Sequence, residues 1–169
     1  HLLENTDKVY QFIKKNYEGW FEEGAEHPLF SHELMKRRVF PLLDSGEKIF
    51  FIVLDNFRLD QWRVIKELLM DDFVVNEEEI YSTILPSATQ YARNAIFSGL
   101  LPNQIQKMFP DLWVDEDEEE GKNMYEEELL KTQIERFRKK YTFSYHKIND
   151  SVSGEKLNSE ITQLLENQL

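Results

Sequence analysis

Asp55 and Thr89 are the residues whose types and positions could do chemistry. Asp55 follows the apolar run Ile49-Phe50-Phe51-Ile52-Val53-Leu54, and Thr89 follows Leu85-Pro86-Ser87-Ala88 and opens a segment that stops at Ser98-Gly99. A carboxylate just past the C-terminal end of a strand can reach a cation in the crevice where open α/β folds keep their ligands. A hydroxyl at the head of a helix feels the positive end of the dipole, which favours an alkoxide or a bound phosphate. The two together would make a phosphoryl-transfer half-site. Arg93, four residues after Thr89, can share its helical face and hold a phosphate oxygen. Each residue also has a plainer reading. Asp55-Asn56 is an ordinary turn former. Thr89 is a helix cap or a spare hydroxyl, with Ser87 and Gln90 as a candidate capping box that would place Thr89 inside the first turn. Arg93 is then a surface arginine.

Several elements must position these residues. The run Ile49 to Leu54, bounded by Ser45-Gly46 and Asp55-Asn56, suits a strand covered on both faces. After it, Leu59, Trp62, Ile65, Leu68 and Leu69 repeat at helical spacing, so strand, turn and amphipathic helix open a βαβ unit. Further strands are predicted over 79–85 and 143–148. Before the sheet region, Val9, Ile13, Tyr17 and Trp20 share one helical face. Met35, Val39, Leu42 and Leu43 share another after the candidate cap Ser31, with Pro41 loosening the last turn. Residues 1–45 therefore read as a helical bundle segment or linker, and residues 46–169 as the α/β part. In the C-terminal third, Leu130, Ile134, Phe137 and Tyr141 form one stripe, and Leu157, Ile161, Leu164 and Leu165 another; both are predicted to cover the sheet.

Composition narrows the function classes. At 41% apolar and 13% aromatic, the 169-residue chain has the make-up of a folded domain. A net charge of −12 repels phosphate backbones, which disfavours indiscriminate nucleic-acid binding. The run Asp115 to Glu120 lacks the glycine and Asp/Asn alternation of a calcium loop and reads as a solvated loop. The absence of cysteine removes disulfides and thiolate chemistry and suits a cytoplasmic setting. No apolar run reaches the roughly 18 residues that a membrane helix needs. His1, His27, His32 and His146 show no ligand spacing and take no role. The chain opens at His1 without a leader pattern and is expected to be a piece of something longer.

The segment Pro86-Ser87-Ala88-Thr89-Gln90 through Ser98-Gly99-Leu100-Leu101-Pro102 resembles the nucleophile segment of the alkaline phosphatase superfamily. There a Thr or Ser opens a helix that ends in Ser/Thr-Gly, with Pro three residues on. Ile52-Val53-Leu54-Asp55 looks like that superfamily's first metal-binding strand. Asp55-Asn56-Phe57-Arg58-Leu59-Asp60-Gln61-Trp62 is similar to the narrower PglZ-domain group, and to the effector domain of PorX-type response regulators within it. The specific motifs cover about residues 46–110. The resemblance implies an α/β domain with a mostly parallel sheet and covering helices, preceded by a helical segment. It implies Asp55 as a zinc ligand, Thr89 as nucleophile and metal contact, and a two-metal centre. It also implies a phosphomonoester or phosphodiester substrate and an upstream receiver domain.

Two departures accompany the resemblance. Phosphodiesterase relatives carry Asn three residues after the nucleophile, where this chain has Ala92; Arg93 is the candidate substitute. The remaining superfamily ligands include an Asp-His pair and a late His, and this sequence holds neither. The chain therefore reads as the N-terminal part of a PglZ domain, inactive alone, whose missing C-terminal half completes the site. A half-domain with an open sheet edge is expected to seek a partner strand, in a homodimer for instance. An alternative is a signalling effector that binds partners to control transcription or secretion, with catalysis absent or secondary. A receiver-like role for Asp55 is disfavoured, since no acidic pair precedes the strand to hold magnesium.

Overall fold

The structure, a computed structural model, describes residues 2–113, 124–147 and 159. The chain divides into two compact units, His1–Lys139 and Lys140–Leu169. In the first unit the helices are α1 (Leu2–Asn16), α2 (Phe40–Asp44), α3 (Leu59–Leu69), α4 (Thr89–Ser98), α5 (Pro102–Met108) and α6 (Glu126–Arg136). Short 3-10 turns lie at Gly19–Phe21, Ser31–Glu33 and Pro110–Leu112. A π-helical turn at Met35–Val39 runs into α2, whose first turn holds Pro41. In the second unit, residues 140–147 form neither helix nor strand, and Ser159 is helical.

Local chemistry accounts for the helix starts. At three of them a Glu or Gln in the first turn reaches back to an orphan N–H. Phe30 N–H donates to Glu33 Oε2 at 3.0 Å, Arg58 N–H to Gln61 Oε1 at 2.9 Å, and Leu101 N–H to Gln104 Oε1 at 2.9 Å. Ser31 lies inside its 3-10 turn, with Phe30 in the cap position. The stripe Leu59 to Leu69 forms α3 as its periodicity predicts, yet no residue of α3 is buried.

The predicted parallel sheet is corrected. Among the described residues no strand forms, and the only pairing outside the helices is a parallel bridge between Phe30 and Ser82. It is closed by Ser82 N–H to Leu29 O at 2.7 Å and Ser31 N–H to Ser82 O at 3.1 Å. The segments over 49–54, 79–85 and 143–147 are otherwise irregular, and Ile148 lies outside the described residues. A strand exists only as a member of a ladder, its N–H and C=O groups paired with neighbours about 4.8 Å away. The run Ile49 to Leu54 finds no such neighbour here. Ile52 is 74% exposed where a covered strand would bury it. Phe51 alone in that run shows a ring contact, edge-on to Phe97 at 6.4 Å. The acidic run Asp115 to Glu120 and the stripe Leu157 to Leu165 also lie outside the described residues.

The core forms where the two sequence regions meet. Phe30, Ile84 and Ala95 are buried together, ringed by Tyr17, Trp20, Phe21, Tyr91 and Leu101. Tyr17 meets Phe30 edge-on at 6.1 Å, and its hydroxyl accepts Leu85 N–H at 2.6 Å. Of the predicted face Val9, Ile13, Tyr17 and Trp20, Val9 on α1 is exposed, whereas the last two lie past the end of α1 and join this aromatic cluster. Its interlocked rings fix the segment that leads into α4.

Candidate functional site

The site is built on α4. Ala88 has extended backbone, φ −61° and ψ 143°, so Thr89 is the first helical residue. No side chain caps this end, and the capping box of Ser87 and Gln90 does not form; Gln90 is buried instead. Thr89 is half-buried.

The other end of α4 is clamped. Gly99 takes the left-handed conformation at φ +64° and donates its N–H to Ala95 O at 2.9 Å. That is the helix stop expected from Ser98-Gly99. The buried Gln133 amide of α6 donates to Ile96 O at 3.0 Å and Phe97 O at 3.1 Å, and Arg136 donates to Ser98 O. Three carbonyls that the helix end would leave unpaired are satisfied by α6. Helix α4 is therefore a fixed platform for its N-terminal residues.

Arg93, one turn after Thr89, joins three parts of the chain. On one side it meets Glu126 of α6 along one edge: Nη2 donates to Oε2 at 2.8 Å, and Nε lies 2.7 Å from Oε1. On the other, Nη1 reaches Asp55 Oδ2 at 3.3 Å. Burial alone would lower the Arg93 pKa, but Glu126 and then Asp55 outweigh it, and the pKa is raised above the ordinary arginine value. Glu126 is fully buried, Arg93 keeps 18% of its side chain exposed, and Asp55 keeps 46%. Glu126 also sits in the first turn of α6, where the helix dipole favours a carboxylate.

Asp55 stands in a tight turn. Its Oδ1 accepts Asn56 N–H at 2.8 Å, and Asn56 adopts φ +54°, a conformation that Asn tolerates better than most residues. The turn-forming reading of Asp55-Asn56 is thus visible in the backbone. Of the predicted site residues, Asp55 and Arg93 are brought into contact, and Thr89 lies one turn before Arg93 on the same helix. Glu126 was not singled out in the sequence. It opens the run Glu126-Glu127-Glu128, which reads as a solvated first turn, and nothing local marks the first of the three as the buried one.

Asp55 and Thr89 offer oxygen donors of the kind a divalent cation takes. Two donors do not make a two-metal centre, and one of them already faces a guanidinium. Among the described residues, no group of three or more His, Asp or Glu side chains could hold a metal ion. The donor set described does not fit a complete two-metal site. His32, which took no role in the sequence, belongs to the aromatic packing, stacked on Phe30 at 6.1 Å.

Among the described residues no helix is long and apolar enough to cross a membrane. Comparison with known families matches residues 34–167 to the BREX system PglZ alkaline phosphatase-like domain. No curated protein matches the chain.

Proposed function

The chain belongs to the PglZ alkaline phosphatase-like family, and from that premise we propose that it supplies the nucleophile side of a phosphoester-hydrolysing site. The observation that carries this reading is the Arg93–Asp55 contact at 3.3 Å. It ties the Asp55 turn to the helix that starts at Thr89. In this reading Thr89 Oγ attacks phosphorus, the bond to the leaving alcohol breaks, and water later hydrolyses the phosphothreonine. The Thr89 proton passes to solvent, and the leaving oxygen is released as the alcohol. Arg93 holds a non-bridging phosphate oxygen through its Nη1 edge. Asp55 and Thr89 would be this chain's share of a zinc site completed by ligands from outside the described residues, and the metal would supply charge stabilisation at the phosphoryl oxygens.

Charge explains why a cation belongs in this reading. Asp55, Glu126 and Arg93 sum to −1, which repels a phosphate. A cation beside Asp55 would reverse that sign, and the superfamily is generally metal-dependent. The setting we infer is the effector of a cytoplasmic two-component response regulator, downstream of a receiver domain.

A second reading draws on the same pairing. Because both sides of Arg93 already meet carboxylates, the cluster could be a structural latch in a signalling effector, with catalysis secondary. One experiment separates the two. The full-length protein is assayed with zinc and bis(p-nitrophenyl) phosphate, wild type beside Thr89→Ala. Hydrolysis lost with the hydroxyl supports the catalytic reading. Equal rates in both proteins, or none in either, favour the latch.

A further inference from the structure

We propose that Glu126 is a positioning residue for phosphate binding, orienting the Arg93 guanidinium so that its Nη1 edge faces the Thr89 end of α4. This rests on the assignment of Arg93 to a phosphate oxygen in the preceding section.

The two carboxylates on Arg93 are unequal. Glu126 is fully buried; its Oε2 accepts a hydrogen bond from Nη2 at 2.8 Å, and its Oε1 lies 2.7 Å from Nε as a close charge contact without hydrogen-bond alignment. One charge-assisted hydrogen bond and a second close charge contact on the same side anchor the guanidinium against α6. Asp55 is 46% exposed and touches Nη1 at 3.3 Å, beyond the usual charge-assisted distance. An exposed, long ion pair is worth little, whereas breaking a buried one leaves a charge stranded. An incoming anionic oxygen therefore displaces Asp55 from Nη1 and leaves the Glu126 grip intact. Asp55 holds the place of the anion, and Glu126 holds the arginine.

Glu126 itself touches no substrate in this account. It acts on the site through its contact with Arg93. Its loss should let the guanidinium turn about its stem, weakening ligand binding and sparing the chemical step.

The test measures inorganic phosphate binding by calorimetry, with KM and kcat for bis(p-nitrophenyl) phosphate, on the full-length zinc-loaded protein. The variants are Glu126→Gln, Arg93→Gln and the double substitution, each checked for a cooperative melt. Glu126→Gln is expected to weaken phosphate binding and raise KM by about tenfold, with kcat within about twofold. The double variant is expected to bind no worse than Arg93→Gln alone, because nothing remains for Glu126 to orient. Should Arg93→Gln fail to fold, Arg93→Lys keeps the buried pair without the fork and is expected to bind as weakly as Glu126→Gln. The proposal is overturned if Glu126→Gln lowers kcat at unchanged KM, or weakens binding equally with and without Arg93. Absence of phosphate binding by the wild type also overturns it. Phosphate binding that depends on Arg93 and Glu126 in a protein that hydrolyses nothing would support it while removing the catalytic reading.

Discussion

Gln133 of α6 fills the space that a side chain at Gly99 would need. A Cβ built on Gly99 would lie 2.7 Å from Gln133 Nε2 and 2.8 Å from its Cδ. The same amide donates to Ile96 O and Phe97 O at the end of α4. Glycine here serves both the left-handed backbone and the approach of a neighbouring helix. Gly99→Ala should therefore cost more than left-handed strain alone, which is about 1 kcal/mol. Displacing the amide forfeits hydrogen bonds of about 1 kcal/mol each. A loss of about 2 to 4 kcal/mol is expected, read by denaturant unfolding. Gly24 at φ +79° has open space around it, so Gly24→Ala should show the strain alone.

Arg93 and Asp55 should differ sharply when removed. Arg93→Ala removes the guanidinium paired with the buried Glu126 carboxylate and is expected to cost about 3 to 5 kcal/mol. Asp55→Asn gives up only a long, half-exposed pair and should fall within about 1 kcal/mol of wild type. Paired unfolding curves check the ordering. Equal effects would mean that Glu126 is not sealed from solvent.

Thr89→Ala should be nearly silent in stability. Thr89 begins α4 without capping it, so the change is expected to stay within about 0.5 kcal/mol. Loss of hydrolysis in a variant with an unchanged melting temperature would place the effect on chemistry. A drop of several degrees would instead make Thr89 a structural hydroxyl.

Stability should fall on mild acidification because of His32. Burial pushes its imidazole below the ordinary value of 6.5, Glu33 opposes this, and His27 adds a smaller depression. The folded state thus prefers the neutral ring, and the unfolded chain binds the extra proton. The contribution is fully present above 6.5 and is lost as pH falls from there towards the lower folded value. Melting temperatures of wild type and His32→Gln, compared near pH 7.5 and near pH 5, should diverge in slope. A wild-type decline no steeper than that of His32→Gln would refute the assignment.

Much of the helical framework was readable from local pattern. The stripe from Leu59 to Leu69 is α3, the segment from Thr89 to Ser98 is α4 with its stop at Gly99, and the buried Leu130 and Ile134 lie on α6. Phe137 and Tyr141 of the same predicted stripe lie beyond the end of α6 at Arg136. The motifs around Asp55 and Thr89 also identified the family, and the match over residues 34–167 agrees.

Sequence determined what depends on near neighbours: where helices start and stop, and which residue types lie beside Asp55 and Thr89. Tertiary structure decided what depends on distant partners. Ile49 to Leu54 has the composition of a covered strand, yet its ladder bonds must come from elsewhere in the chain, and among the described residues they do not. Glu126 resembles its two acidic neighbours until α6 packs on α4, and only that packing buries it against Arg93. Helical hydrogen bonds close within four residues, whereas a strand ladder and a buried ion pair must be closed from far along the chain.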